Sequence, residues 1–143
     1  MRQITKESSM EKHASTIAAI GRILIAVIFV MSGLSKLGAS AATQGYIASV
    51  GLPLPLLGYV IALAAEIGGG LLLLVGFQTR LIAALLAVFT IATAVFFHNN
   101  FADQNTMIHF LKNIMITGGL LQLVAFGSTS LSLDARRLRL RAA

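Results

Sequence analysis

Four predominantly apolar stretches, separated by short turns, constrain this 143-residue chain more than any other feature it has. A helix needs about 20 such residues to cross the ~30 Å hydrocarbon core of a bilayer. The stretches cover residues 17–37, 54–75, 81–97 and 107–126. Turn chemistry divides them: Gly51-Leu52-Pro53 with Pro55, then Gly76-Phe77-Gln78-Thr79, then Asn99 to Asn105, then Gly127-Ser128-Thr129-Ser130. Only 11% of residues are charged against 57% hydrophobic, where soluble domains carry about 25% charged. So few charges would not cover a water-soluble globule. The expectation is an all-α, integral membrane four-helix bundle. Residues 1–16 form a cytoplasmic N-terminal tail, 17–127 one transmembrane domain, and 128–143 a basic cytoplasmic C-terminal tail.

The charge balance, 11 Lys+Arg against 5 Asp+Glu for a net +6, falls mainly in the tails and forms no basic stripe, so nucleic acid is excluded as a partner. The sequence holds no cysteine, which excludes disulfides, thiolate chemistry and Cys-ligated metals. The first apolar run is too long for a signal-peptide core, and Lys36 stands where a small-residue cleavage site would fall, so this span is read as retained. Orientation follows the basic residues of the connections. Arg2, Lys6, Lys12, Arg80, Arg136, Arg137, Arg139 and Arg141 lie on one side, and only Lys36 and Lys112 approach the other. Both termini are therefore expected in the cytoplasm, with the basic C-tail against anionic headgroups. Residues 41–50 place Ala42, Tyr46, Ile47 and Val50 on one side of a short helix, expected to lie in the outer interface.

Ionisable groups in hydrocarbon are costly, so each is a candidate site residue. Arg22, Ala26, Phe29, Gly33 and Lys36 share one face of the first span, with about 21 Å of helix between Arg22 and Lys36. Alone, Arg22 could equally snorkel to the headgroups. Glu66 lies about 18 Å along its helix from Leu54, a depth at which a carboxylate must be protonated or paired. With Lys36 taken as the mark of the outer interface, Arg22 is the cation at similar depth. The sequence thus predicts a buried Arg22–Glu66 pair, either a bundle lock or a functional site. Ala62, Ala64, Ala65 and Gly68-Gly69-Gly70 around Glu66 read as packing surface, with room for a planar ligand as the alternative.

Tyr59 shares the Glu66 face about 10 Å further out. Lys112, Met115, Gly119 and Gln122 form a stripe on the fourth span, with Asn113 adjacent. Ala83, Ala87, Thr90 and Ala94 form one on the third, which ends at His98. Together Tyr59, His98 and Lys112 are expected to line an outward-opening cleft floored by Arg22–Glu66. His98 and His109, with Asp103 between them, lack established ligand spacing; they read as interfacial histidines rather than ligands for a metal or haem. No metal site is expected. Ser32 and Ser35 show no base–acid partners for a nucleophilic triad.

Gly21-Arg22-Ile23-Leu24 leading to Ser32-Gly33-Leu34-Ser35-Lys36-Leu37 resembles the opening of the DoxX family of small bacterial membrane proteins. Gly51-Leu52-Pro53, Glu66-Ile67-Gly68-Gly69-Gly70, Gly76-Phe77-Gln78-Thr79-Arg80, Phe97-His98-Asn99-Asn100-Phe101 and Leu111-Lys112-Asn113-Ile114 extend the likeness across residues 17–135. The resemblance implies a four-span protein of the bacterial inner membrane, with recurrent polar positions at Arg22, Lys36, Glu66, His98, Lys112 and Asn113. It also implies association with oxidoreductase or quinol-linked systems. The leading expectation is a membrane component of a redox or quinone-linked system, with quinone as the candidate cofactor and a membrane or soluble redox protein as the candidate partner. Whether the chain is itself an enzyme stays open, as does homo-oligomerisation. A non-enzymatic scaffold recruiting a partner is the alternative, and a small-solute or proton-coupled transporter the third.

Overall fold

The computed structural model describes residues 2–128 and 131–142, with side chains from residue 10 onward. Thr129 and Ser130 of the fourth turn lie outside the described residues, as do the side chains of Arg2 and Lys6 counted in the charge bias. The chain is helical: α1 (Arg2–Gly38), α2 (Ser40–Ser49), α3 (Pro55–Leu63), a π-helical turn (Ala64–Gly69), α4 (Gly70–Val75), α5 (Thr79–Phe97), α6 (Gln104–Phe126) and α7 (Leu133–Ala142). α3, the π turn and α4 run on as one span. The described residues hold four helices long and apolar enough to cross a membrane, over Met10–Gly38, Pro55–Val75, Thr79–Phe97 and Gln104–Phe126. The third starts two residues and the fourth three residues earlier than the apolar stretches alone indicated. Polar first turns explain this, since Asp103 accepts a hydrogen bond from the Thr106 amide (2.9 Å) and starts α6 ahead of its apolar run.

Both tails carry helix among the described residues. α1 is one helix of 37 residues, about 55 Å long, so the polar N-terminal segment continues the first span. The C-terminal segment forms α7 and folds back onto the α4–α5 turn, where the Asp134 amide donates to the Gly76 carbonyl (3.0 Å).

The interior is made of small and medium side chains. Ala26, Phe29, Leu73, Ala83, Leu86, Ala87, Leu120 and Leu123 form its core, while Ile20, Leu24, Ile28, Leu85, Val88, Val95 and Met115 are exposed on the outside. Lipid is as apolar as leucine, so close packing of small residues joins the helices. The predicted inward faces are observed for the first span, with Arg22, Ala26, Phe29 and Gly33 buried, and for the third, with Ala83, Ala87, Thr90 and Ala94 buried. At Gly33 an added Cβ would lie 3.1 Å from Glu66 Cβ and 3.2 Å from the Ile67 amide nitrogen, so α1 crosses the π turn almost backbone to backbone. Gly70 repeats this contact against Val30. The fourth span differs from expectation. The stripe Lys112, Met115, Gly119, Gln122 turns largely outward, and α6 buries Thr117, Leu120 and Leu123 instead. The apolar pair 120 and 123 completes the core against α5, which rotates Lys112 to the outside.

Arg22, 2% exposed, ties the other end of the bundle together. α4 ends in a Schellman motif: Gly76 takes φ 69°, its amide donates to the Leu73 carbonyl (3.1 Å) and that of Phe77 to Leu72 (3.0 Å). Carbonyls at a helix end still need donors. Arg22 Nη1 donates to Leu73 and Leu74 (both 2.6 Å), and Nη2 donates to Leu131 (2.7 Å). The predicted Arg22–Glu66 pair is therefore corrected: Arg22 caps a helix C-terminus, a favourable place for a cation. Asp134 performs the opposite task, accepting from the Gln78 and Thr79 amides (2.8 Å each) and Thr79 Oγ1 (2.9 Å) at the start of α5.

Two outcomes are expected. Arg22→Ala removes the guanidinium donors from Leu74 and Leu131 and leaves Leu73 only its bond from Gly76, and should destabilise the fold by about 3 kcal/mol or more, read as a large drop in the circular-dichroism melting temperature. Arg22→Lys, with a point charge instead of a fork, should recover only part of it. Burial pushes the Asp134 carboxyl up, but the hydrogen bonds from Thr79, Gln78 and Ser128 outweigh it and hold it below the usual carboxylate range. The α7 latch is thus fully formed above the ordinary carboxylate pKa and lost as pH falls through the lowered value. Asp134→Asn should speed tryptic cleavage at Arg136 and Arg137 several-fold at neutral pH; unchanged cleavage would contradict the latch.

Candidate polar site at the first-span crossing

The π turn sets the site. A π bulge inserts one residue into a helix and turns the side chains around it, and such bulges recur at functional sites. Here it carries Glu66, whose side chain is 7% exposed, towards α1. The glycine crossing at Gly33 brings the next turn of α1 alongside. Lys36 Nζ donates to Glu66 Oε1 at 2.8 Å and to Ser32 Oγ at 2.9 Å, and Ser32 Oγ donates to the same Oε1 at 3.1 Å. Side chains on a helix lean towards its N-terminus, so Lys36 points inward along α1 and meets Ser32 at i−4 rather than reaching for the headgroups. That lean is the physical reason Lys36, and not Arg22, neutralises Glu66. Tyr59, 8% exposed, closes the cluster, its hydroxyl donating to the Lys36 carbonyl (3.3 Å).

Two valences remain in this cluster. Glu66 Oε2 is buried without a hydrogen-bond partner among the described residues. Lys36 has three donors and directs two at Ser32 and Glu66, while its side chain stays 30% exposed. One acceptor and one donor are thus free side by side, the pattern that binds a group with both a carbonyl and a hydroxyl character.

Of the residues expected to share a cleft, the structure joins Lys36, Glu66 and Tyr59. Arg22 sits at the far end of the core, and Lys112 is exposed with no hydrogen bond or ion pair to the cluster among the described residues. Asn113 is half-buried, and its carbonyl accepts from Thr117 (2.8 Å). Ser32, set aside for want of acid partners, does have one in Glu66; its i, i+4 spacing to Lys36 was the signal that could have found it.

His98 stacks on His109 instead, with ring centroids 5.2 Å apart and planes 25° apart. Nitrogen lone pairs lie in the ring planes, so the two run side by side and do not converge between the rings. Tyr46 of α2 fastens this end by donating to the Phe97 carbonyl (3.0 Å). Among the described residues no group of three or more His, Asp or Glu is placed to hold a metal. Burial, and then the neighbouring His109, lower the His98 pKa from the usual imidazole value of 6.5. With the folded value below the unfolded one, the unfolded chain binds more protons near that value, and stability is lost as pH falls through and below it. The melting temperature should drop between pH 7.5 and pH 5.5, and His98→Gln should flatten that slope; an unchanged slope would show that the stacked pair is not its source.

The DoxX family profile matches residues 17–99, which hold Lys36, Glu66, Tyr59 and Ser32. The chain is similar to Inner membrane protein YqjF of Escherichia coli, 40% identical over 125 residues, 87% of this chain and 95% of that protein. It is similar to Inner membrane protein YphA of the same organism, 37% identical over 82% of this chain and 87% of that protein. A shorter match, 36% identical over 52% of this chain and 54% of the relative, is to a Bacillus subtilis protein named "Putative oxidoreductase CatD". No solved structure matches significantly. With the profile covering more than half of its length and the two E. coli relatives matched over most of theirs, the chain belongs to the DoxX family.

Proposed function

We propose that this protein is a multi-pass component of the bacterial inner membrane, serving a redox or quinone-linked system, and that Lys36, Glu66, Ser32 and Tyr59 form its intramembrane binding site. The observation that carries the reading is the buried, unpartnered Oε2 of Glu66 beside the partly exposed Lys36 ammonium. The names of the two E. coli relatives support the location, and the oxidoreductase designation of the shorter match supports the redox link.

A quinone fits the free valences. Lys36 would donate its remaining N–H to a quinone carbonyl, and Glu66 Oε2 would accept from the hydroxyl of the reduced form. Quinones supply two-electron, two-proton chemistry in the bilayer; this chain's part is to bind one oxygen and to hold a proton. Lys36 pairs with Oε1 of Glu66 and leaves Oε2 to an incoming donor. Electrons come from a partner, because the chain has no cysteine and so no thiol couple of its own. The same Lys36–Glu66 geometry would also suit a scaffold, in which the pair only fixes how α1 crosses the second span.

Calorimetric titration of the detergent-purified protein with a short-chain ubiquinone analogue separates the two. Saturable binding in the wild type, weakened about tenfold or more in both Glu66→Gln and Lys36→Met, is the expected outcome. Binding that is absent, or equal in all three proteins with intact helicity, would discard the quinone site. Should a stoichiometric partner then co-purify from gently solubilised membranes, the scaffold reading would replace it.

A further inference from the structure

A cavity of about 610 Å³ lies at the end of the bundle where both termini emerge, between the α5 N-terminus, the α6 C-terminus and α7. Three arginines line it, Arg80 from the start of α5 and Arg137 and Arg141 from α7. The positions of α7 that face it, 134, 137, 138 and 141, are spaced as one helical face, whereas Arg136 and Arg139 lie off that face. Asp134 is also in the wall, but both of its oxygens are engaged by Gln78 and Thr79. None of the three guanidiniums is ion-paired among the described residues; Arg137 rests over the Phe77 ring, 5.0 Å from its centroid. Arg80 is held by close packing against Gly127, where an added Cβ would sit 2.8 Å from its Nε. Gly127 has φ 74°, so a side chain there would be strained as well as crowded.

Besides Gln78, Thr79 and Ser128, the wall carries three large apolar side chains. Leu81, Phe126 and Leu138 are 53%, 78% and 67% exposed. They sit where two spans end, at the level at which acyl chains give way to headgroups. Guanidinium forks match phosphate oxygens in pairs, while a free anion has no use for three large apolar side chains around it.

We infer that this cavity is a binding site for the phosphate of an anionic phospholipid, held by Arg80, Arg137 and Arg141 with the first carbons of its chains against Leu81, Phe126 and Leu138. The site depends on the α7 latch: Asp134 fixes the helix whose arginines form one wall, so lipid binding and docking of the C-terminal helix stabilise each other. This goes beyond the diffuse attraction of a basic tail to a charged surface, because it requires particular arginines and not merely their number.

Native mass spectrometry of the full chain, released from detergent with phosphatidylglycerol, phosphatidylethanolamine or inorganic phosphate, tests it. The wild type should retain one phosphatidylglycerol with at least about tenfold preference over phosphatidylethanolamine, and inorganic phosphate in millimolar excess should not displace it. Arg80→Gln/Arg141→Gln should lose about tenfold or more of that retention, Arg80→Lys/Arg141→Lys should keep part of it, and Arg136→Gln/Arg139→Gln, which removes the same charge from the other face, should keep nearly all. Equal losses in the two glutamine double variants would mean diffuse electrostatics and overturn the site. Full displacement by inorganic phosphate would mean a free-anion site and overturn the lipid assignment, and so would a wild type that does not discriminate between the lipids.

Discussion

The guanidinium of Arg22 on the carbonyls that end α4 is the contact on which the bundle's architecture turns. Around a side chain as buried as Arg22 a helix end has no water to borrow, so its last carbonyls need protein donors. One side chain reaches three of them on two segments: Leu73 and Leu74 of α4, and Leu131 before α7. It thereby sets the depth of the first span against the second and fixes where the C-terminal segment returns. Gly76 is part of the same device. Its positive φ terminates α4, and its missing side chain admits Arg22, since a Cβ there would stand 2.8 Å from Nη1.

With Arg22 committed to that end, Glu66 must be neutralised from elsewhere, and this divides the bundle into two polar levels. One holds Arg22, Gly76, Asp134 and Thr79 and reads as structure. The other holds Lys36, Ser32, Glu66 and Tyr59, where a buried carboxylate retains an unpartnered oxygen. Each level leaves one buried atom without a partner among the described residues, Arg22 Nε at the first and Glu66 Oε2 at the second; at the second the open atom is an acceptor beside a partly exposed ammonium with a donor to spare, and that pairing supports the binding site proposed there.

Much of this was legible in the residues. The four spans follow from hydropathy and turn chemistry, and the inward faces of α1 and α5 follow from the spacing of Arg22–Ala26–Phe29–Gly33 and Ala83–Ala87–Thr90–Ala94. The buried charges were found as charges but joined wrongly. Counting rise per residue gives the depth of a Cα; it does not include the backward lean of the Lys36 side chain, the π turn at Glu66, or the demand of α4's carbonyls for Arg22. The facing of α6 was misjudged because its one strong polar stripe, starting at Lys112, competes with the apolar pair Leu120 and Leu123, and packing against α5 decides for the latter. Asp134 carries no local sign of its role, because a cap supplied from 55 residues away leaves no pattern beside the helix it caps.

The most direct measurement is a pair of double-mutant cycles on unfolding free energy in detergent, one combining Glu66→Gln with Lys36→Met and the other Glu66→Gln with Arg22→Lys. Two separate polar levels predict a coupling of about 1 kcal/mol or more for the Lys36 cycle, and additivity within about 0.5 kcal/mol for the Arg22 cycle. Strong coupling between Arg22 and Glu66, with none between Lys36 and Glu66, would contradict the division and return Glu66 to Arg22.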